Sequence, residues 1–220
     1  MYNKVLSGIL VVLLIAITGT LAYLGYGYYK KYKTNADTGN FIDNELEEYY
    51  VELNKAKEEN PEENPEQPSQ PSGSGNGNWG GANTDGLYYK GFKVAGKLEM
   101  PTINIRYPIL DTITNAKAIE YSVGILYGPG VNVPGNTVII GHNYNNGLFF
   151  GKNKNLKVGD KIYITDMQGN KMEYTIFNKY YTPENDTSYI TRQTDGKIEV
   201  TLVTCDRTGA NRLVVCARVE

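Results

Sequence analysis

The chain has 220 residues, of which 40% are hydrophobic and 21% are charged, a composition typical of a folded protein. Its 22 basic and 24 acidic residues give a formal net charge of −2, which excludes a strongly basic nucleic-acid-binding protein. Two cysteines and one histidine are too few for a disulfide scaffold or a Cys/His metal centre. Acid–base or thiol chemistry is therefore confined to very few positions.

An uncharged, apolar run occupies residues 5–29 and ends in a cluster of tyrosines. As a helix this run would span about 38 Å, more than the hydrocarbon core of a bilayer, and tyrosine favours the lipid–water interface. We therefore predict a transmembrane signal anchor over 5–29, preceded by a short cytoplasmic tail, residues 1–4. A cleaved signal peptide is the alternative, because Thr20-Leu21-Ala22 resembles a cleavage site, but its apolar core would be shorter.

Two polar segments follow the apolar run. Residues 30–59 are predicted to form a juxtamembrane acidic stalk, either an amphipathic helix near 41–59 or a solvated spacer. Helical spacing is seen in the apolar residues Ile42, Leu46, Tyr49, Tyr50 and Leu53. Residues 60–86 are rich in Pro, Gly, Ser and Asn, and such a linker cannot bury enough apolar surface to fold. The two segments together indicate a tether.

The last segment, residues 87–220, is predicted to be a single, mainly β domain. Short runs of β-branched and aromatic residues alternate there with turn residues, as in strands of an all-β fold. Strands are predicted at 93–100, 137–140, 161–164, 172–177, 197–204 and 213–219, with one or two turns of helix at 115–122 and 149–156. So many short strands in about 134 residues indicate a closed barrel or a sandwich.

Three candidate catalytic residues lie at the ends of predicted strands. His142, the only histidine, follows an apolar strand, Cys205 ends another, and Arg212 begins the next. A rigid scaffold commonly carries catalytic groups at such positions, although a lone histidine or cysteine is more often structural. Cys216 lies inside an apolar strand and is predicted to pack as a hydrophobe. A Cys205–Cys216 disulfide is the alternative, and it would consume the nucleophile.

The sequence Thr201-Leu202-Val203-Thr204-Cys205, followed by Arg212, resembles the T-L-x-T-C…R signature of the sortases, cysteine transpeptidases of Gram-positive cell surfaces. Gly141-His142 after an apolar strand resembles their histidine site, and the likeness covers residues 87–220. The resemblance implies a closed eight-stranded sortase-type β-barrel with short helices, of class A or class D-like type. It also implies a single-pass membrane protein with its catalytic domain on the extracellular face. Charge alone favours the opposite orientation, because three lysines follow the apolar run closely and one precedes it.

The same resemblance implies roles for the candidate residues. Cys205 would be the nucleophile, His142 the general acid and base, and Arg212 the oxyanion donor. The implied substrates are surface proteins with a C-terminal LPXTG-like sorting signal, cleaved between Thr and Gly and transferred to an amine of a peptidoglycan precursor. Val203 is predicted to bind substrate because strand alternation places it on the face of Cys205. Thr204 is included as the signature neighbour of the cysteine, although alternation directs it away from the groove.

No cofactor or metal is predicted, and the acidic residues are too scattered to assign a calcium site. Two other functions are alternatives. A different cell-wall thiol enzyme is disfavoured, because L,D-transpeptidases carry an S-x-G-C-type motif and NlpC-type peptidases place Cys before His. The main alternative is a non-enzymatic, membrane-tethered β-domain that binds the wall or a surface, whose activity would survive alkylation of Cys205.

Overall fold

The computed structural model describes residues 2–59 and 86–220, apart from Thr114. All but the last residue of the predicted linker, 60–86, lie outside the described residues. The N-terminal part is one continuous helix: α1 (Tyr2–Asn40), a π-helical segment (Phe41–Leu46) and α2 (Glu47–Glu59). Its most apolar window has a mean hydropathy of 2.5 and is 0% buried within the protein, so its length and composition suit a membrane span.

The C-terminal part forms a closed β-barrel, as the sequence predicts. Nine strands make it up: β1 (Tyr88–Tyr89), β2 (Phe92–Met100), β3 (Ile105–Leu110), β4 (Val123–Tyr127), β5 (Gly135–Ile140), β6 (Lys161–Asp166), β7 (Lys171–Pro183), β8 (Ile198–Cys205) and β9 (Asn211–Arg218). The strand order is β1-β2-β3-β4-β5-β8-β9-β7-β6, and pairing of β2 with β6 closes a barrel of eight strands, with β1 added as a short hairpin on β2. Short 3₁₀-helices at Ala116–Glu120 and Asn153–Asn155 occupy the two regions where helical turns are expected.

The strands that carry the candidate residues are covered on both faces. Inside the barrel, β8 and β9 contribute alternate residues such as Leu202 and Val215, which are 0% exposed. On the outer face, Val203 and Cys216 pack under Tyr189 of the β7–β8 loop. Burial on both faces accounts for the nearly continuous apolar sequence of these strands, in which a polar residue at an end stands out.

The N-terminal helix packs against the barrel beyond its apolar run. Four of its apolar side chains are buried, Phe41, Ile42, Leu46 and Tyr50, and they form a second apolar cluster with Tyr89, Val94, Leu110 and Ala118. Ion pairs surround this contact: Lys97 Nζ lies 2.7 Å from Glu47 Oε1, Lys90 Nζ lies 3.2 Å from Asp37 Oδ2, and Arg106 pairs with Asp43. The segment expected to be a stalk is therefore helical from residue 30 to 59, and its apolar face lies on the domain.

This contact predicts a loss of thermal stability on truncation of a helix side chain. Leu46 is 0% exposed, so we expect Leu46→Ala to cost about 2–5 kcal/mol, as other buried leucines do, and to lower Tm by about 5–15 °C. Val51 lies on the same helix but is 51% exposed, so Val51→Ala serves as the matched control and is expected to change Tm by less than about 2 °C. Thermal unfolding of the full chain in detergent measures both. Equal melting temperatures for the two variants would contradict the packing.

Candidate active site

The pairing of β5, β8 and β9 brings the candidate residues to one end of the barrel. β5 runs parallel to β8 with Ile140 opposite Val203, and Gly141 N donates to Val203 O at 3.3 Å. His142 follows Ile140 by two residues and Cys205 follows Val203 by two residues. Both therefore lie at the same level, at the same end of the paired strands. The Asn143 side chain reinforces this register, because its Nδ2 donates to Cys205 O at 2.8 Å.

Arg212 lies directly across from Cys205 in the antiparallel pair of β8 and β9. Directly opposed residues have Cα atoms about 4.5–5.5 Å apart, so the arginine is within side-chain reach of the cysteine. In this structure its guanidinium donates instead to Gly209 O at 2.9 Å and to Asn211 O at 3.3 Å, and Nη2 lies 3.4 Å from Glu184 Oε2. Contact with an oxyanion at Cys205 therefore requires the guanidinium to turn away from Glu184.

His142 is half-buried beneath a layer of aromatic and charged side chains. Its ring centroid lies 5.1 Å from that of Tyr144, and Lys30 Nζ of the N-terminal helix lies 5.2 Å from the Tyr144 centroid. Burial lowers the pKa of His142 below its ordinary 6.5; the carboxylate of Glu120 opposes this shift, and the Lys30 cation adds to it. The neutral imidazole is thereby favoured near pH 7.

The two cysteines differ sharply in their surroundings. Cys205 is exposed, whereas Cys216 is 1% exposed and accepts a weak contact from Thr201 Oγ1 at 4.0 Å. Burial raises the pKa of the Cys216 thiol, which disfavours the reactive thiolate. Both thiols are free, and Cys216 pairs with Thr201, about 13 Å along β8 from Cys205, too far for a disulfide.

The two residues predicted to bind substrate, Val203 and Thr204, are both buried. Val203 is 3% exposed and lies on the face of Cys205, but Tyr189 of the β7–β8 loop covers it. Thr204 is 4% exposed, and its hydroxyl donates to Gly141 O at 2.6 Å, which ties the cysteine strand to the histidine strand. Substrate binding by either side chain stays a prediction, since contact with a peptide would require the loop to move.

A groove lies on the same outer face of the sheet. Its volume is about 610 Å³, and its walls come from the β4–β5 turn and the β7–β8 loop, including Tyr127, Asn136, Ile190 and Arg192. Buried polar contacts hold this loop on the sheet: Asn136 Nδ2 donates to Tyr189 O at 2.8 Å, and Arg192 pairs with Glu199. The sequence carried no sign of this groove, because its wall is assembled from residues more than 50 positions apart.

The loop after Cys205 is held by Asp206, a residue with no functional signal in the sequence. Its carboxylate accepts hydrogen bonds from the backbone N of Thr208 and Gly209 and from the Asn211 side chain. These donors, that of Asn211 above all, lower the pKa of Asp206 to about 2. In the part of the chain that the structure describes, no three His, Cys, Asp or Glu side chains are grouped to hold a metal ion.

Comparison with known proteins gives a consistent assignment. The family model described as "Sortase domain" matches residues 98–220. The curated sortase A of Bacillus anthracis is 30% identical over 115 residues, which are 51% of this chain and 52% of that protein; sortase A of Listeria monocytogenes is equally identical over the same length. The chain thus matches about half the length of these curated relatives.

Solved structures extend the similarity to the fold. A lid mutant of sortase A from Corynebacterium diphtheriae is 30% identical, with a TM-score of 0.53 over 59% of this chain and 71% of that chain. A Clostridium perfringens sortase D5 transpeptidase is 25% identical, with a TM-score of 0.53 over 58% of this chain and 79% of that chain. Because the family match covers more than half of the chain, including every candidate residue, the chain belongs to the sortase family, whose members are cysteine transpeptidases.

Proposed function

We propose that this protein is a membrane-anchored transpeptidase. It cleaves an LPXTG-like sorting signal between Thr and Gly and transfers the surface protein to an amino group of the cell wall, with the catalytic domain on the extracellular face. The observation that carries the proposal is the strand register, which aligns an exposed Cys205 with His142 on one side and Arg212 on the other. An exposed thiol between an imidazole and a guanidinium is the arrangement that acyl transfer through a thioester requires.

The first half of the reaction forms the thioester. The Cys205 thiolate attacks the threonine carbonyl carbon, and the negative charge that develops on the carbonyl oxygen is stabilised by the Arg212 guanidinium after it leaves Glu184. The C–N bond then breaks, and His142, as imidazolium, gives its proton to the departing glycine amine. The products are a thioacyl-enzyme and a free peptide with a new N-terminus.

The groove on the outer face provides a place for the sorting signal. Its Asn136 lies on the outer face that also carries Cys205, about 20 Å along the strands from the cysteine. Its mixed apolar and polar walls suit an extended peptide that runs from the groove toward Cys205. The β7–β8 loop that forms one wall also covers Val203, so a modest outward shift of Tyr189 would bring Val203 into contact with bound peptide. Class A or class D-like type stays a prediction.

The experiment that tests the function measures peptide cleavage with and without amine acceptors. We expect the full chain in detergent to cleave quenched peptides carrying LPXTG or related signals such as LPXTA and NPQTN. It should also accumulate an acyl-enzyme visible by intact mass and turn over faster when an amine is added. Turnover without any covalent intermediate would contradict the proposal. A non-enzymatic binding domain would instead show no turnover and no effect of Cys205 alkylation.

The protonation of His142 leads to a prediction about pH. We expect a bell-shaped profile of kcat/KM, whose limbs report macroscopic values of the coupled Cys205–His142 pair. Because burial lowers the pKa of His142, the acidic limb should lie below pH 6.5. Lys30→Gln should move this limb to higher pH and Glu120→Gln to lower pH, since they remove opposite charges. His142→Gln should remove the limb and most of the rate; full activity in that variant would exclude His142 as the acid.

A further inference from the structure

A cavity separate from the groove opens at Cys205. It has a volume of about 310 Å³ and lies at the end of the barrel, where the segment after His142, the end of β7 and the β8–β9 loop meet. Its lining includes Cys205, Asn143, Lys154, Tyr181 and Arg207, and it shares no residue with the groove on the outer face. Cys205 therefore lines the barrel-end cavity, while the groove lies further along the outer face of the sheet.

The cationic side chains of this barrel-end cavity are unpaired within the described chain. Lys154 and Arg207 are exposed, and neither forms an ion pair with any acidic group among residues 2–59 and 86–220. Asp206 also lines the cavity, and its carboxylate stays ionised because the loop amides and the Asn211 side chain lower its pKa to about 2, so two cations face one anion. A third cation, Lys179, donates to Lys154 O at 2.5 Å and to Leu156 O at 2.7 Å, close behind the wall. The cavity therefore offers positive charge to a ligand.

We infer that the barrel-end cavity binds the acceptor of the transfer reaction, and that this acceptor is an amine that also carries a carboxylate. The inference rests on the proposed function. A donor peptide bound along the outer face covers that approach to the thioester, so the amine must reach the same carbonyl carbon from the other side of Cys205. Lys154 and Arg207 would attract the carboxylate, and their charge also favours the neutral, nucleophilic form of the amine.

The transfer step needs only the amine, the thioester and the side chains of His142 and Cys205. The amine nitrogen attacks the thioester carbonyl carbon and forms a C–N bond, while one amine proton passes to the neutral His142 imidazole. The C–S bond breaks, and the electron pair leaves with Cys205 as thiolate. Both side chains thus return to the ionised states in which the next cycle begins, and no further reactant is needed.

A comparison of two acceptors tests the inference. Triglycine and triglycinamide carry the same attacking amine but differ in the terminal carboxylate. With the full chain in detergent and a quenched LPXTG-type peptide as donor, we expect the acceptor KM of triglycine to be about fivefold lower than that of triglycinamide at low salt. The difference should shrink when the ionic strength is raised, since both cations are exposed to solvent.

Charge-neutral variants locate the effect. Lys154→Gln and Arg207→Gln should each reduce the preference for triglycine, and the double variant should abolish it. Lys197→Gln is the matched control, because Lys197 is also exposed but precedes the opposite end of β8, and it should keep the full preference. The acyl-enzyme formed before acceptor is added, measured by intact mass, shows that each variant is folded and competent in the first half-reaction.

The outcomes separate this inference from the proposed function. Equal acceptor KM values in the unaltered protein, despite normal acyl-enzyme formation, would overturn the inference alone. A preference for triglycine that survives in the double variant would do the same. Failure of the unaltered protein to form any acyl-enzyme would overturn the proposed function, and the inference with it.

Discussion

Replacing Cys205 by alanine is expected to abolish both peptide cleavage and the acyl-enzyme. The thiol is the only exposed one in the described chain, and the neighbouring threonine hydroxyls are engaged elsewhere. Thr204 lies on the opposite face and donates to Gly141 O, and Thr208 Oγ1 donates to the Asp206 carboxylate. Loss of a nucleophile typically leaves only the small rate that binding and oxyanion contacts provide. Intact-mass spectrometry after incubation with substrate measures the adduct directly.

Cys216→Ala is the matched control for that result. The residue is 1% exposed, and burial keeps it in the thiol form, so we expect most activity to remain and stability to fall by about 1 kcal/mol from lost packing. An acyl adduct that maps to Cys216 would contradict the assignment of the nucleophile. So would a Cys205→Ala variant that still accumulates the thioester.

The second large effect is expected at Arg212. We expect Arg212→Ala to lower kcat for peptide cleavage by about 10²–10³, with a smaller change in KM, as removal of an oxyanion donor does. Its Cα position opposite Cys205 gives the guanidinium the required reach, although it contacts Gly209 O and Glu184 in this structure. Arg212→Lys should restore activity only in part, because an ammonium lacks the planar fork of donors.

Two other arginines serve as controls for Arg212. Arg218 lies six residues further along β9, about 20 Å away, where it stacks 5.0 Å from the Phe177 ring centroid. Arg207 lies in the β8–β9 loop and lines the barrel-end cavity. We expect Arg218→Ala and Arg207→Ala each to change kcat of cleavage by less than about tenfold. A loss in Arg207→Ala equal to that in Arg212→Ala would reassign the oxyanion donor.

The strands around the site could be predicted from sequence because their signals are local. β5, β8 and β9 are runs of β-branched residues bounded by turns, and the short loop from Asp206 to Ala210 sets Cys205 opposite Arg212 as a hairpin would. The local sequence pattern did not predict β3 and β4 as strands. Pro108 removes a donor from β3, and Gly124 in β4 lies against Ile113, where a Cβ would clash.

The contacts that were missed all join distant segments. Helical spacing identified Ile42 and Leu46 as one apolar face, but nothing in that spacing indicated that Val94 and Leu110 would cover it. In the same way, strand alternation placed Val203 beside Cys205 but could not show that Tyr189 lies over it. Periodicity reports which face of an element is apolar, whereas the partner of that face depends on the whole fold.

The continuous N-terminal helix fixes the distance between the end of the apolar run and the candidate active site. Only about 9 Å of helix separates Tyr29, the last residue of the apolar run, from Asn35, which accepts a hydrogen bond from Tyr107 of the barrel at 3.4 Å. Tyr107 in turn accepts from Phe149 N, in the segment that follows His142, at 3.1 Å. With residues 5–29 in a bilayer, a continuous helix would hold the domain close to the membrane, as a flexible linker would not. The active site could then act only on peptide bonds that lie within a few helical turns of the lipid headgroups.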